Sequence, residues 1–343
     1  MNSIIDLLKA GKDLSQKQSK SVLKKILKGT YTEEDVYAFI EAYEAKAYHA
    51  EEWIGFLSAM RELAMPFKHH VKDPIIDVCG TGGSDQERFN VSTCVTFVLA
   101  AENIHVAKHG NYGSRRPNGS FNFLEELQVV YKLDALQAAD ILSKAKCCFL
   151  FARLYHPLMR HVSTVRKRFK KRTVFNYLGP LANPIDVSYQ LLGLSSDEHI
   201  DVLIQTIQAL PRKKVLLVMG GDGKDEVSLS GTTRCIQVEP DKVTRFDINF
   251  SKEIEALEPH ECQYECGDSQ KNATLLVQIA LDKQWDHPVI KHICINAAAA
   301  LVMMGESKTV QDGYQRAMNV FKEERFVQAI NRYKSLSVDM IMP

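Results

Sequence analysis

The chain has 343 residues with 43 Lys and Arg against 42 Asp and Glu, a formal charge of +1 at pH 7 that argues against a general nucleic-acid binder. Its length allows one large domain or two with ample core. No apolar run approaches the ~20 residues of a membrane span, and residues 1–3 open an amphipathic pattern rather than a signal peptide.

Residues 1–67 read as helices throughout. Ile4, Leu7 and Leu8 make one apolar face. Leu14-Ser15 caps a second helix carrying Val22, Leu23, Ile26 and Leu27, and Gly29 stops it. Thr32-Glu33-Glu34 opens a third with Val36, Phe39 and Ile40, and residues 51–65 make a fourth with Trp53, Leu57, Met60 and Leu63. Nothing here suggests chemistry. A helical module with a leftover apolar face suits self-association. Residues 66–73 read as a linker.

Residues 74–125 hold the informative stretch. Ile75-Ile76-Asp77-Val78 leads into Gly80-Thr81-Gly82-Gly83-Ser84, and Phe89-Asn90-Val91-Ser92-Thr93 precedes a helix-like apolar run over 95–101. A second short strand, 104–107, ends at Lys108-His109-Gly110-Asn111. Glycines let backbone N–H groups approach phosphate oxygens with no Cβ in the way. Ser92 and Thr93 stand where a helix begins, Asn90 adds a polar side chain, and Lys108 adds a full charge. Three such elements in series predict a phosphate-bearing ligand.

Further on, 135–144 reads as a helix, and Cys147-Cys148-Phe149-Leu150-Phe151-Ala152 as a buried strand, the alternation of a parallel α/β sheet. His156-Pro157-Leu158-Met159 opens a basic helix running to about Lys171; most of its arginines read as a solvated face. A helix over 201–210 and a strand over 214–219 lead into Gly220-Gly221-Asp222-Gly223-Lys224-Asp225-Glu226. On these residues alone, the loop is either a hard-cation site or a polar turn with exposed acids. Residues 232–250 alternate as antiparallel strands. From Asn272 the chain is helical, with a small-residue run, Asn296-Ala297-Ala298-Ala299-Ala300, that allows close packing. The eight cysteines, Cys79, Cys94, Cys147, Cys148, Cys235, Cys262, Cys266 and Cys294, lack paired zinc spacing and imply reduced thiols in a cytoplasmic protein.

GTGG, FNVST, KHGN and GS before LEEL, with RTVFNYLGPLANP at 172–184 and DEVSLSG at 225–231, resemble the anthranilate phosphoribosyltransferase family. Its relatives are the pyrimidine nucleoside phosphorylases. The resemblance spans nearly the whole chain. It implies a small all-helical N-terminal domain, 1–67, joined by part of 155–186 and forming a homodimer. A larger α/β domain with a mixed, largely parallel sheet would follow over 74–343. It implies transfer of phosphoribosyl from phosphoribosyl pyrophosphate (PRPP) to anthranilate, with the site at the carboxyl ends of the strands facing the cleft between domains. It turns Asp225 and Glu226, with Ser92, into the expected Mg²⁺ ligands, and makes Lys108 with the acidic pair the catalytic group. The donor would be held by Gly80 to Ser84, Asn90, Ser92, Thr93, Lys108 to Asn111, Arg115, Arg116 and Ser120. The acceptor would meet Gly80, His109, Asn111 and Arg166, which stands seven residues before the signature threonine. A guanidinium suits a carboxylate because it can donate two parallel hydrogen bonds.

Several residues depart from the family's pattern. Ser84 follows GTGG in place of aspartate, Asp85 replaces a glycine, and Arg88 replaces a threonine. Tyr112 stands for an arginine, Arg115 and Arg116 for two serines, Asn122 for an aspartate, and Arg153 for a proline. Two other readings remain. A nucleoside phosphorylase needs no metal-bound pyrophosphate, so the acidic pair favours the transferase. A non-catalytic nucleic-acid binder is disfavoured by the near-zero net charge. Another aromatic amine or a nucleobase as acceptor stays open.

Overall fold

The computed structural model describes residues 1–82, 87–113, 116–169, 171–254 and 264–340. These fall into two compact units, each described by itself.

The first unit gathers Met1–Pro66, Ala152–Pro184 and Asp197–Leu210. Its first helices are Asn2–Lys9, Gln16–Leu27, Glu33–Glu44 and Ala50–Glu62. Ser15 and Thr32 cap the second and third, each in a reciprocal capping box with the residue three positions on. Glu52 is the polar hub. Buried between helices, it accepts the Leu14 N–H at 2.8 Å, the Tyr43 hydroxyl at 3.1 Å and the Lys46 ammonium at 2.8 Å. Trp53 stacks on Tyr177 with ring centroids 5.3 Å apart, which ties the signature helix Val174–Leu181 into this unit. The basic segment is broken rather than continuous. Pro157 opens a 3-10 turn, Pro157–Met159, between the short helices Ala152–Tyr155 and Arg160–Arg166. The sequence reading left 197–210 with the α/β part, whereas its helix, Ile200–Gln208, packs here.

The second unit is built on a seven-stranded sheet. Its strands are β1 (Ile75–Gly80), β2 (His105–Gly110), β3 (Cys147–Phe151), β4 (Tyr189–Gly193), β5 (Lys214–Gly220), β6 (Thr232–Glu239) and β7 (Lys242–Asn249), in the order β3-β2-β1-β4-β5-β6-β7. β1 to β5 are parallel, and β6 and β7 add an antiparallel edge. This is the mixed, largely parallel sheet expected. Two strands run further than the sequence reading placed them. β1 continues to Gly80, and β2 continues through Lys108, His109 and Gly110, which pair with Phe149, Leu150 and Phe151. Lys108 and His109 are therefore strand residues, both buried, rather than loop residues. The small-residue helix is Pro288–Met304, buried along nearly its whole length.

The chain leaves β1 toward β2 and β3, then returns to β4 on the other side of β1. The order reverses between β1 and β4. At such a switch point the connections diverge and leave a crevice outside the carboxyl ends of the strands.

Candidate active site

Glycines end both strands at that switch point, and the structure shows why. A Cβ on Gly80 would lie 2.4 Å from Asp225 Oδ2, and one on Gly193 would lie 1.7 Å from the Asp225 carbonyl oxygen. Only bare backbone at the ends of β1 and β4 lets the segment carrying the acidic pair cross them. Gly82, with φ +62°, turns its N–H onto Asp225 Oδ2 at 3.0 Å. Thr81 donates its N–H to Gly193 O at 2.9 Å, and its hydroxyl accepts the Ser195 N–H at 3.4 Å, closing the loop onto β4.

The acids are not exposed, which corrects the polar-turn alternative. The side chains of Asp225 and Glu226 are 4% and 11% exposed. They are held from behind by the buried helix. Asn296 accepts the Val227 N–H at 2.9 Å and donates to Val227 O at 3.2 Å, and His292 Nε2 donates to the same carbonyl at 2.9 Å. That bond fixes the tautomer, so His292 Nδ1 accepts the Tyr264 hydroxyl at 2.6 Å. Burial pulls the His292 pKa down to about 4, leaving the ring neutral beside Glu226. Glu226 Oε2 has no hydrogen-bond partner among the described residues. Burial, then the Asp225 charge, pushes the Glu226 pKa up to about 8.

Asp225 does have a cation. Its Oδ1 takes a hydrogen bond from Arg88 Nη1. Burial alone would lower the Arg88 pKa, but the charges of Asp225 and Glu226 outweigh it and raise it. The Arg88 carbonyl is pinned by Asn118 Nδ2 at 2.8 Å and Asn272 Nδ2 at 2.9 Å.

Ser92, Asp225 and Glu226 line one cavity of about 20 Å³, with Asn296 and a mostly apolar wall from β1, β4 and β5. That is room for about one water-sized particle. Lys108 lies behind it, 1% exposed, its ammonium donating to Val78 O and, at 3.0 Å, to Ser92 Oγ. Burial lowers its pKa.

The other predicted residues are placed as follows. Asn90 precedes the helix Val91–Ala101, but its side chain accepts from Asn272 at 3.0 Å and donates to Asn118 O at 3.4 Å, bracing loops. Thr93 is 0% exposed, and its N–H bonds Asn90 O at 3.1 Å, so it faces the core. Gly110 ends β2, and Asn111 is exposed, its Oδ1 accepting the Tyr112 N–H at 2.8 Å. Arg116 is exposed and 3.6 Å from Glu87. Ser120 starts the helix Ser120–Glu126. Asn122 Oδ1 accepts the Gly113 N–H at 2.9 Å and the Gly119 N–H at 3.1 Å. Gly83, Ser84 and Arg115 lie outside the described residues, as does Cys262. Arg166 belongs to the helical unit. Its Nη2 donates to Asn176 Oδ1 at 3.1 Å and its guanidinium lies 5.6 Å from the Phe175 ring centre. Among the described residues no carboxylate lies within ion-pair distance of it.

Sequence reasoning missed Gly193, Ser195, Asn118, Asn272, His292 and Asn296 as parts of this assembly. Only Gly193 carried a usable signal, as a glycine closing a short apolar run.

Residues 2–64 match the helical bundle domain of the glycosyl transferase family, and residues 72–324 match its a/b domain. The chain is 32% identical over 332 residues to the anthranilate phosphoribosyltransferase of Brevibacillus brevis, covering 96% of each protein. The chain belongs to the anthranilate phosphoribosyltransferase family. The Nitrosopumilus maritimus member is likewise 32% identical over 335 residues, with 96% of each covered. The crystal structure of the Thermus thermophilus anthranilate phosphoribosyltransferase gives a TM-score of 0.85 at 27% identity, over 98% of this chain and 99% of that one. The Saccharomyces cerevisiae protein in complex with PRPP and Mg gives 0.86 over 98% of both chains, a likeness of fold at 23% identity.

Proposed function

We propose that this chain transfers the phosphoribosyl group of PRPP to the amine of anthranilate, releasing pyrophosphate. The bond from C1 of the ribosyl ring to the pyrophosphate oxygen breaks, the bond from C1 to the amine nitrogen forms, and the nitrogen sheds a proton. The observation that carries the reading is the shared cavity of Ser92, Asp225 and Glu226 at the sheet's switch point, beside the glycine turn.

That donor set fits Mg²⁺. Two carboxylates and a hydroxyl leave positions for phosphate oxygens and water, which is how this ion is usually held. Glu226 Oε2, buried without a hydrogen bond, is a ligand atom in want of a cation. Bound there, Mg²⁺ supplies positive charge to the departing pyrophosphate.

The chain's own residues do the rest. The glycine turn beside the cavity leaves the donor's phosphates close access to backbone. Lys108 holds Ser92 in place from behind and adds positive charge near the same cavity. Arg166, a half-buried guanidinium with no carboxylate in ion-pair range among the described residues, suits the acceptor's carboxylate. His109 and Asn111 shape the acceptor's surroundings. A neutral aromatic amine is already nucleophilic, so no general base is assigned. A homodimer through the helical unit and a cytoplasmic location belong to the same proposal; the seven described cysteines are all free thiols, in keeping with a reducing compartment. No helix of the described residues is long and apolar enough to cross a membrane.

The test is pyrophosphate release from PRPP and Mg²⁺ across anthranilate, other aromatic amines and nucleobases. One pyrophosphate per anthranilate consumed is expected. Turnover with another acceptor and none with anthranilate would replace the substrate. Metal-independent cleavage of a nucleoside by inorganic phosphate would replace the reaction.

A further inference from the structure

Arg88 occupies the carboxylate that the proposed function gives to a metal ion. Three observations bear on what it does there. The first is the pair itself: the Arg88 side chain is 21% exposed and the Asp225 side chain 4% exposed, so it is the arginine that has a route outward. The second is the anchoring. The Arg88 carbonyl is fixed by Asn118 and Asn272, so its backbone stays put while its long side chain can pivot. The third is the neighbourhood. Among the described residues beyond its chain neighbours, Arg88 Nη2 comes closest to where a Cβ on Gly82 would stand, at 3.8 Å. The guanidinium thus lies against the turn that would cradle phosphate.

We infer that Arg88 is an internal counter-ion that keeps a divalent cation off Asp225 until the pyrophosphate donor draws the guanidinium onto its own phosphates. This rests on the donor being PRPP. A carboxylate held by a fixed cation binds a second one poorly, because the pair must first be separated. An incoming pyrophosphate offers the planar guanidinium paired acceptor oxygens of higher charge than Asp225. Donor binding then frees Asp225 as it delivers the oxygens that complete the metal's shell. Metal loading without donor, which would neutralise the site for no purpose, is suppressed.

The experiment titrates Mn²⁺, as a paramagnetic stand-in for Mg²⁺, into donor-free protein and reads bound ion by electron paramagnetic resonance. Wild type should bind weakly. Arg88→Thr should bind roughly tenfold more tightly or better, the scale of one lost charge–charge competitor. Arg88→Lys, which keeps the cation, should stay close to wild type. The gain should vanish in Arg88→Thr combined with Asp225→Asn. Should Arg88→Thr fail to fold by circular dichroism, Arg88→Gln makes the same comparison. A second arm titrates PRPP calorimetrically without metal, where Arg88→Thr should bind it roughly tenfold more weakly. Equal Mn²⁺ affinities in wild type and Arg88→Thr, or a gain that persists without the Asp225 carboxylate, overturns the inference while normal donor uptake leaves the proposed function standing. Wild type that takes up no PRPP under any metal condition removes the donor itself, and the hand-over with it.

Discussion

Glu226 makes the ligand-free protein sensitive to pH in a direction opposite to most carboxylates. Its folded pKa is about 8 against an ordinary 4.5, because burial disfavours the charged form and Asp225 adds to it. Between those values the folded protein keeps a proton that the unfolded chain gives up. Stability contributed here is therefore full below about pH 4.5 and is lost as pH rises toward 8. The slope is about 1.4 kcal/mol per pH unit, so raising pH from 5.5 to 7.5 should cost about 2–3 kcal/mol through this group alone. Glu226→Gln removes the titration and keeps the shape. Thermal melts of both proteins in metal-free buffer at the two pH values should show the glutamine variant gaining on wild type as pH rises. Excess Mg²⁺ with PRPP should reverse the order at pH 7.5, since a cation on Glu226 favours its ionised form, and should do nothing comparable for the variant. Parallel pH dependence in the two proteins would refute the assignment of a desolvated, uncompensated carboxyl at this position.

Asp225→Asn with Glu226→Gln should lower turnover by ~100-fold or more, since a metal clamp on leaving-group charge is worth several kcal/mol, and steady-state pyrophosphate release measures it. Gly193→Ala should place a methyl group 1.7 Å from the Asp225 carbonyl. It should destabilise the α/β unit by roughly 1–3 kcal/mol and weaken PRPP binding, read by melting and calorimetry. Arg166→Ala should erase most of a preference for anthranilate over aniline of roughly 1.5–3 kcal/mol in kcat/KM, because the carboxylate then lacks its charged partner. Glu52→Ala should cost the helical unit roughly 3–5 kcal/mol on denaturation, because it leaves Lys46, 5% exposed, without its buried partner.

Much of the fold is legible in the sequence because the signals are local. Ser15 and Thr32 are followed by helix and cap it. Cys147–Phe151 is a fully apolar run and becomes a strand buried at every position. Tyr189–Gly193 shows where such signals fail. It is only five residues long and follows the irregular stretch after the signature helix, so neither length nor alternation marks it as a strand. Yet β4 is the strand that pairs with β1 to make the switch point, so missing it hides where the site lies. The strand ends at Lys108 and His109 were misjudged for a related reason. A charged and an ionisable residue beside a glycine suggest a loop, while pairing with Phe149 and Leu150 keeps them in the sheet.

At the site, residue types were legible and relations were not. Glycine, lysine and paired acids announce phosphate and metal chemistry from their own properties. What the acids do depends on the backbone of Gly193 and Gly80, 32 and 145 residues from Asp225 along the chain. Gly80 suggests a phosphate approach in the sequence; in the structure the missing Cβ makes room for Asp225 Oδ2. The acids look like a solvated turn because Gly220-Gly221 and Asp222 surround them, but Asn296 and His292 draw Val227 inward and bury the pair. Arg88 is the sharpest case. Read along the chain it is one departure among several, with nothing to rank it above Tyr112 or Arg116. Its distance to Asp225 alone gives it a role, because a cation beside a buried acid changes what that acid can bind. Departures from a family pattern are therefore best ranked by what they touch. Arg116 meets an exposed glutamate and carries little energy at 62% exposure. Arg88 meets a carboxylate shielded from water, and there the same substitution chemistry can set the order in which metal and donor bind.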